Sequence, residues 1–405
     1  MNVLMMSLLY PDDQMEEARQ NARDKIQNQI NSYQHAYLQG LRQNMSVGEQ
    51  MDVLNALPVG IFPLQYKKLW LASGWHDHET IWNLSSLNVP PFKQAMRRHS
   101  AAAYLEQWIQ KNPQNRTVLI YTLYLPYMQA AALLKKKYPD LKVAVIVTDL
   151  PNELGLPSGR KGLMKQLEYR RGTQSVSLCQ QMDGFVLLTA PMAEALQIQH
   201  KPSIVMEGLI AQNDGISHSA TETKNSVLYS GTLEMELGIG DLLEAFAQMP
   251  QYELWICGQG GAQAAVEEAS KRYSNIRFFG FVSREEAIQL QSQAAGLINP
   301  RPASAAFTRY SFPSKTLEYM RSGKPVLCYK LEGIPDDYDP YLQYIPQPGG
   351  EGICEAVEKL MGLSSKERQA LGEAGRAYVL EQKNPKNQCG RLYGFLQGLH
   401  DKTAL

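Results

Sequence analysis

Residues 226–261 read SVLYSGTLEMELGIGDLLEAFAQMPQYELWICGQGG, and this stretch sets the fold of the C-terminal half. A short apolar run over residues 226–230 is followed by a turn containing glycine and then by a helical pattern over residues 241–249. A second apolar run covers residues 252–257 and ends in four residues of which three are glycine. Apolar runs that alternate with helical patterns at this spacing indicate βαβ units and a parallel sheet.

The same alternation covers most of the chain. The remaining C-terminal elements are helices over residues 262–273, 284–293 and 314–321, strands over 276–279, 295–299 and 325–329, and a helical pattern over 365–399 that breaks at Asn384-Pro385. In the N-terminal half we expect a buried strand at the start, strands over residues 118–121, 143–147 and 184–188, and helices over 128–138 and 165–180. The polar residues 12–43 predict a loop that leads into a helix. The predicted fold class is therefore α/β, with ligands at the carboxyl ends of parallel strands.

A chain of 405 residues is too long for one ordinary hydrophobic core. Residues 211–225 (AQNDGISHSATETKN) are polar, lack a periodic apolar pattern and are the predicted linker. We therefore expect an N-terminal domain over residues 1–210 and a C-terminal domain over residues 211–384. Residues 385–405 are expected to form a helix that packs back on the N-terminal domain.

Composition limits the classes of partner and compartment. Lys+Arg and Asp+Glu both number 40, so the balanced charge gives no support for nucleic acid as a partner. The five cysteines have no paired spacing, which argues against a disulfide framework or a zinc site and favours a reducing compartment. The apolar start lacks a basic leader, and no apolar run is long enough to span a bilayer, so we expect a cytoplasmic protein.

The segment with the most chemical information is residues 299–325, NPRPASAAFTRYSFPSKTLEYMRSGKP. It follows a buried strand and leads into a helix, with Pro313 at the helix entry and Ser314 as the expected N-cap. Lys315 and Thr316 then fall in the first turn. The N–H groups and the dipole at a helix start favour an anion such as a diphosphate.

Charged side chains in this segment extend the same interpretation. Arg301, Arg309 and Lys315 place three cations within one loop, which suits a pyrophosphate. Glu318 follows one turn later, where a carboxylate could accept both hydroxyls of a ribose. A diphosphate and a diol at this spacing describe a nucleotide-sugar. The alternative is an ordinary strand–loop–helix connection with solvated charges.

Residues 309–325 (RYSFPSKTLEYMRSGKP) resemble the donor-binding signature of the retaining glycosyltransferases of family four, and more narrowly the bacterial exopolysaccharide and capsule branch. The resemblance continues through residues 227–243, the glycine turn after Cys257 and residues 275–282, and more thinly through residues 25–40, 148–151 and 205–208. It implies the GT-B fold, in which two Rossmann-like domains with parallel sheets face a central cleft. It also implies an enzyme that uses neither a metal nor a cofactor.

The activity implied by the resemblance is sugar transfer with retention of configuration. The donor would be a nucleotide-diphosphate sugar, with UDP or GDP as the favoured carrier. The acceptor would be a glycan or a lipid-linked diphosphate in bacterial surface polysaccharide synthesis. Two alternatives stay open: a nucleotide-sugar epimerase or inverting transferase on the same fold, and a non-catalytic subunit that binds nucleotide-sugar.

The resemblance also implies roles for individual residues. Gly231 and Thr232 would form the turn after the first C-terminal strand, where the backbone approaches the diphosphate, and Gly258 would begin the next glycine turn. Phe281 and Val282 would contact the base through their backbone atoms.

The remaining implied roles concern the phosphates, the sugars and the acceptor side. Ser311 and the residues up to Thr316, among them Ser314 and Lys315, would hold the phosphates and the donor sugar. Glu318 would bind the ribose. Asp149, at the end of an N-terminal strand, would be the catalytic-side residue that faces the reacting sugar or the acceptor.

The sequence departs from the family pattern in two places. Tyr310 stands eight positions before Glu318, where many members carry an acid that contacts the donor sugar. The loop over residues 232–237 carries no cation, although many members have an arginine and a lysine there. The diphosphate charge must then be neutralised by Arg301, Arg309 and Lys315.

Four further motifs have alternative interpretations. Residues 258–261 do not match the dinucleotide fingerprint, residues 75–79 (WHDHE) favour an exposed loop or strand over a metal cluster, and residues 336–339 favour a solvated turn. A basic group comprises Arg160, Lys161, Lys165, Arg170 and Arg171. It is either solvated or touches anionic lipid on the inner face of the plasma membrane.

Overall fold

A computed structural model describes residues 1–23, 26, 28–151, 163–210, 223–304 and 306–401. The chain divides into two compact units. The first comprises Met1–Leu209 together with Pro385–Leu405, and the second comprises Ile210–Asn384. Most of the predicted linker, residues 211–222, lies outside the described residues.

The first unit is built from ten strands and seven helices among the described residues. The strands are β1 (Asn2–Ser7), β2 (Gln50–Asn55), β3 (Trp70–Leu71), β4 (Gly74–His76), β5 (Ile81–Asn83), β6 (Ser86–Leu87), β7 (Arg116–Tyr121), β8 (Lys142–Val147), β9 (Gly184–Leu187) and β10 (Ser203–Val205). The helices are α1 (Met15–Asn21), α2 (Asn28–Asn44), α3 (Phe92–Lys111), α4 (Leu125–Lys137), α5 (Leu163–Cys179), α6 (Met192–Ala195) and, at the far end of the chain, α13 (Pro385–Gly398).

The sheet of the first unit has eight strands in the order β10-β9-β8-β7-β1-β2-β5-β4. All neighbours are parallel except β4, which pairs with β5 in the antiparallel sense. The central strand β1 is buried over residues 3–6, which explains why the apolar start of the chain forms a strand. Helix α13 packs against α2, and its Cys389, Leu392 and Leu396 belong to the core of this unit.

The second unit contains six strands and six helices among the described residues. They are β11 (Thr223–Ser230), β12 (Glu253–Cys257), β13 (Ile276–Phe278), β14 (Ala294–Asn299), β15 (Val326–Cys328), β16 (Leu342–Tyr344), α7 (Ile239–Gln248), α8 (Gln263–Arg272), α9 (Arg284–Gln293), α10 (Ser314–Arg321), α11 (Gly349–Gly362) and α12 (Ser365–Gln382).

The six strands of the second unit form one parallel sheet in the order β13-β12-β11-β14-β15-β16. Counted along the chain this is the order 3-2-1-4-5-6 of a dinucleotide-type α/β sheet. The order reverses between β11 and β14, so the chain leaves these two strands in opposite directions. A crevice for a ligand opens at the carboxyl ends of the strands that flank such a reversal. The predicted α/β class with parallel sheets is therefore confirmed.

Residues 12–43 are more helical than the apolar spacing predicts. A turn of 3-10 helix and α1 precede α2 within a stretch predicted to begin as a loop. Polar side chains hold the first half of α2, while Tyr37, Leu38 and Leu41 of its second half pack in the apolar core. The Gln34 amide accepts from Leu8 N (2.8 Å) and donates to Leu8 O (2.6 Å), and Asn31 Oδ1 accepts from Tyr10 N (2.7 Å). The apolar spacing that reveals α2 is therefore concentrated in its second half, at Tyr37, Leu38 and Leu41.

Residues 75–79 form the end of β4 and the turn that follows it. Asp77 has a φ of 49°, and its carboxylate accepts from Asp12 N (3.0 Å) and Asp13 N (3.1 Å). The Nδ1 atom of His76 lies 3.1 Å from the Asp13 carboxylate. These acids and this histidine are therefore used to fasten the chain after β1. Within the described residues, no group of three His, Cys, Asp or Glu side chains is placed to hold a metal ion.

Candidate functional site

The carboxyl ends of β11, β12 and β13 each lead into a glycine. Gly231 follows β11 and donates its N–H to Cys257 O (3.0 Å), and Gly258 follows β12 and donates to Gly280 O (2.8 Å). The three strand ends are thus tied into one edge of the sheet. Gly231 lies beside the reversal of strand order, where a ligand crevice is expected.

Gly258 has no room for a side chain. Its φ is +146°, and a Cβ built on it would lie 1.8 Å from Gly231 O. Gly260, with φ +159°, would place a Cβ 2.2 Å from Leu233 O. Glycine is required at both positions because the backbone leaving β11 lies directly on the turn after β12. The glycines of residues 258–261 therefore let two backbones approach each other.

The loop after Gly231 is held by neutral and acidic groups. Tyr229 donates its hydroxyl to Thr232 O (2.6 Å), and Glu234 accepts from Gly261 N (3.0 Å). Gly238 ends this loop with φ +84°, and a Cβ there would lie 2.1 Å from Pro300 O. The loop after β11 thus touches both the glycine turn and the exit of β14. An acid, Glu234, binds the N–H group at this turn.

Helix α10 begins one residue earlier than an N-cap at Ser314 would place it. The N-cap position belongs to Pro313, and Ser314, the expected N-cap, is the first helical residue. No side chain caps this helix, and Ser314 is exposed. The expectation that Ser314 caps the helix is wrong, because proline fixes φ near the value found at helix starts and takes the earlier position. The uncapped helix start keeps its dipole available to an anion.

The three cations of residues 299–325 have different partners. Arg301 donates from Nη2 to Ser311 Oγ (2.5 Å), and burial lowers the pKa of its guanidinium to about 10. Arg309 donates from Nε to Glu332 Oε1 (2.9 Å) and lies over the ring of Tyr310. Arg301 lies directly beyond β14, at the reversal of strand order, whereas Arg309 is directed to an exposed acid beyond β15.

Lys315 is paired with Glu318 across one turn of α10. Its Nζ lies 3.0 Å from Oε1 and 2.9 Å from Oε2, and about two fifths of each side chain is exposed (41% and 42%). Thr316, in contrast, is fully buried and accepts from Asn299 Nδ2 at 3.4 Å. Lys315 and Glu318 therefore face outward from the start of the helix, and Thr316 anchors it to β14.

Cys257 locates this ion pair relative to the sheet. Burial raises the pKa of the Cys257 thiol to about 11, Lys315 lowers it, and Glu318 raises it further. The charges of α10 are thus felt at the last residue of β12. The Lys315–Glu318 pair and the glycine turns belong to the same edge of the second unit.

Glu318 also has a buried partner. Gln291, on α9, donates from Nε2 to Glu318 Oε1 (2.8 Å) and to Ser230 Oγ (3.2 Å). The adjacent Tyr319 accepts from Ser230 N (2.8 Å) and donates to Ser230 O (3.0 Å). Gln291, Ser230 and Tyr319 were not among the predicted site residues. Tyr319 stands beside Glu318 in the motif, but no spacing signal connects Gln291 to residues so far along the chain.

The residues assigned to the base lie at the end of β13. Phe281 is strongly exposed (72%), whereas Val282 is partly buried against the core of the second unit. Ser283 then caps α9, since its hydroxyl accepts from Glu286 N while the Glu286 carboxylate accepts from Ser283 N. The capped helix fixes the backbone just after Phe281 and leaves the ring of Phe281 in solvent.

Asp149 belongs to the first unit and follows the carboxyl end of β8. Its side chain is exposed, yet reduced solvation by its surroundings raises the pKa of the carboxyl, and a hydrogen bond with Thr148 opposes the shift. The neighbouring strand β7 ends at Tyr121, and Thr148 N contacts Thr122 Oγ1 at 3.5 Å. Asp149 thus lies at the carboxyl edge of its own sheet.

The other motifs are placed as follows. Part of the basic group lies outside the described residues, namely Arg160, Lys161 and the side chain of Lys165. The other two members, Arg170 and Arg171, are exposed on α5. In residues 336–339, Lys330 contacts Asp336 (2.8 Å) and Asp339. No helix in the described part of the chain is both long and apolar enough to cross a membrane.

Comparison with known proteins agrees with this geometry. Residues 212–378 match the family model described as glycosyl transferases group 1. No curated protein sequence is significantly similar to the chain.

Solved structures resemble the whole chain. Sucrose-phosphate synthase from Thermosynechococcus elongatus superposes with a TM-score of 0.58 at 13% identity, with 98% of each chain covered. The pneumococcal O-GlcNAc transferase GtfA, solved with UDP and GlcNAc, gives a TM-score of 0.55 at 11% identity, with 99% of each chain covered. TarM gives 0.55 at 11% identity over 80% of this chain and 63% of its own.

At these identities the likeness establishes the fold, and the family match supports glycosyl transfer as the activity. The chain has the GT-B fold with two Rossmann-like domains, and its residues 212–378 are similar to the glycosyl transferases group 1.

Proposed function

We propose that the protein transfers a sugar from a nucleotide-diphosphate sugar, bound by the second unit, to a glycan or lipid-linked acceptor with retention of configuration. One observation carries the proposal: the outward-facing Lys315–Glu318 pair at the uncapped start of α10. This start lies at the sheet edge where Gly231 and Gly258 bring two backbones together. A cation, a helix dipole and a carboxylate at one edge suit a diphosphate and the ribose beyond it.

The binding step follows from the exposure of the ion pair. An exposed i,i+3 pair contributes only about 0.5 kcal/mol, so its separation is inexpensive. Lys315 is free to turn to the diphosphate, and the carboxylate of Glu318 then accepts the ribose hydroxyls. Arg301 supplies a second cation at the exit of β14. The nucleoside base would lie at Phe281 and Val282, with UDP and GDP as the favoured carriers.

In the chemical step, the bond between the anomeric carbon and the diphosphate oxygen breaks as an acceptor hydroxyl bonds to that carbon. The electron pair leaves on the diphosphate, and an oxygen of the departing diphosphate takes the proton that the acceptor hydroxyl loses. Lys315, Arg301 and the start of α10 would stabilise the charge that develops on the leaving diphosphate. We propose that these groups act without a metal ion. Asp149, with its raised pKa, is the proposed catalytic-side residue of the first unit.

The acceptor and its location are finer proposals. A lipid-linked acceptor in bacterial surface polysaccharide synthesis would bring the protein to an anionic membrane surface. The exposed Arg170 and Arg171 on α5 support such a peripheral contact.

The proposal is tested with a panel of nucleotide-sugars, by measuring donor hydrolysis and transfer for wild type and variants. Glu318→Ala and Lys315→Ala should each lower kcat/KM at least tenfold, since each removes a charged contact to the donor. Glu355→Ala and Lys359→Ala, which change exposed charges of α11, should leave activity unchanged. Full activity in both site variants would refute the assignment of this edge as the donor site.

A non-catalytic subunit that binds nucleotide-sugar is the second candidate. Two observations favour it: Glu234 occupies the loop that would carry cations, and Arg309 is paired with Glu332. Calorimetry that detects nucleoside diphosphate binding, together with no hydrolysis or transfer for any donor in the panel, would favour this candidate over the enzyme. Product analysis by NMR separates retention from inversion or epimerisation.

A further inference from the structure

Gln291 is a buried amide that contacts the exposed carboxylate of the proposed donor site. Only 1% of Gln291 is exposed, whereas 42% of the Glu318 side chain is. Its Nε2 donates to Glu318 Oε1 (2.8 Å) and to Ser230 Oγ (3.2 Å). An amide nitrogen has two hydrogens, so both donors of Gln291 are used. Reversing the amide would turn its carbonyl oxygen toward the carboxylate, so the contact fixes the orientation of the amide.

Ser230 connects this amide to the sheet. It is the last residue of β11, and its N–H and C=O are both bonded to the hydroxyl of the fully buried Tyr319. Gln291, Ser230 and Tyr319 therefore join α9, β11 and α10 in one buried hydrogen-bonded group. Because this group holds Oε1 of Glu318, the carboxylate has little freedom to rotate.

The two partners of Glu318 differ in how easily they are replaced. Lys315 is exposed, reaches Glu318 across a single helical turn and is expected to turn to the diphosphate. Gln291 is almost fully buried, so water and ligand cannot reach it to replace its partner. The contact from Gln291 therefore stays when Lys315 leaves.

We propose that Gln291 is a positioning residue for ribose recognition, and this inference rests on the proposed function. Gln291 holds Oε1 of Glu318 against the protein, so the remaining lone pairs of the carboxylate point to the two ribose hydroxyls. A neutral donor is needed at this position. A second carboxylate 2.8 Å away would repel Glu318 and favour its protonated form.

The experiment compares binding of a ribonucleoside diphosphate, UDP or GDP, with that of its 2′,3′-dideoxy counterpart by calorimetry. Wild type should bind the ribonucleotide at least tenfold more tightly. Gln291→Met, which keeps the size and removes the donors, should abolish most of this preference while binding of the dideoxy compound stays the same. Gln289→Met, on the exposed face of the same helix, should match wild type.

Gln291→Glu provides a second readout that does not depend on tolerance of Met in the core. At pH 5.5 the introduced carboxyl is protonated and donates to Glu318, so the ribose preference should remain. At pH 8.5 it should be lost, whereas wild type should keep its preference at both pH values. This recovery at low pH is a signature that a purely structural role would not give.

The outcomes separate the two proposals. A wild type that binds neither nucleotide, or binds both equally, refutes the ribose assignment of Glu318 and the inference with it. A wild type that discriminates, with a Gln291→Met variant that discriminates equally well, overturns the inference alone. The inference is also overturned if Gln291→Met loses affinity for both nucleotides equally and the ribose preference of Gln291→Glu does not change with pH. That result would show that Gln291 only supports the fold.

Discussion

Replacement of Gly258 by alanine tests whether the contact between the turns after β11 and β12 is as close as the structure indicates. The Cβ of the variant would lie 1.8 Å from Gly231 O, so the two backbones must separate by more than 1 Å to reach an ordinary contact. Such a shift breaks the bond from Gly231 N to Cys257 O (3.0 Å) and the bond from Gly258 N to Gly280 O (2.8 Å).

The expected loss combines several contributions. A side chain at φ +146° costs about 1–3 kcal/mol, and the overlap costs about 1–3 kcal/mol more. We expect Gly258→Ala to lower the free energy of unfolding of the second unit by about 3–5 kcal/mol. Gly280→Ala is the matched control, since its φ is +73° but no atom lies within 4 Å of its Cβ. That variant should lose only about 1–2 kcal/mol.

The assay is calorimetric unfolding with and without a nucleoside diphosphate. For a unit of this size, 1 kcal/mol corresponds to about 2–4 °C. The transition of the second unit should therefore fall by roughly 10 °C in Gly258→Ala and by a few degrees in Gly280→Ala. Equal destabilisation of the two variants would show that backbone conformation, and not the approach to Gly231, decides the requirement for glycine.

Three further predictions concern ionisable or hydrogen-bonded side chains. Burial lowers the pKa of Lys93 from 10.5 to about 7, so the unfolded chain binds more protons than the folded chain and stability rises with pH. Relative to Lys93→Met, the wild-type free energy of unfolding should increase by about 1.5 kcal/mol between pH 7 and 8.5. A stability difference between the two proteins that stays constant over this range would contradict the prediction. Tyr319→Phe leaves two buried groups of Ser230 without their partner and should lose about 1–3 kcal/mol in urea unfolding, whereas no change would mean that water replaces the hydroxyl. Hydrogen bonds from Tyr378 and Lys383 lower the pKa of Asp337 against the opposing effect of its partial burial, so its contribution to stability is present above about pH 4 and is lost on acidification. The stability difference between wild type and Asp337→Asn should therefore shrink as the pH falls below 4. A difference that grows at low pH would refute the assignment.

Local sequence signals predicted the bounds of two helices of the second unit. Helix α9 and helix α10 have the bounds expected from the sequence, Arg284–Gln293 and Ser314–Arg321. The first is marked by the Ser283 capping box and the second by Pro313. Both signals act within one turn of the helix, which explains why a single sequence reveals them.

Residues 56–91 show where such signals end. Four strands of two or three residues, β3 to β6, lie in this stretch. None was predicted, apart from the interpretation of residues 75–79, which overlap β4, as an exposed loop or strand. Strands this short contain too few positions to display an alternating pattern. Residues 12–43 were predicted as a loop that leads into a helix, and the loop part was wrong because α1 (Met15–Asn21) lies there. Only Ala18 of this short helix is buried, so it has no apolar period to reveal it.

In the candidate site, too, contacts between residues close in sequence were predicted, and contacts between residues distant in sequence were not. Sequence spacing placed Lys315 and Glu318 one turn apart, and the structure pairs them. It grouped Arg309 with them by proximity in the chain, yet the side chain of Arg309 is paired with Glu332. Gln291 is 27 positions from Glu318 and carries no charge, so neither spacing nor composition could connect it to the site. Which way a side chain turns depends on the tertiary contacts made by its neighbours.

Glu318 combines one replaceable partner with one permanent partner, and this combination is what a binding carboxylate needs. A carboxylate held only by Lys315 would lose its orientation as soon as the lysine turned to a phosphate. A carboxylate held only by buried groups would have no charge partner in the absence of ligand. With Gln291 bonded to Ser230 and Lys315 at the surface, the proposed donor site would keep its hydrogen bonds while empty and its orientation while occupied. The order of the strands brings these groups together, because β11 ends at Ser230 beside the reversal where the crevice opens.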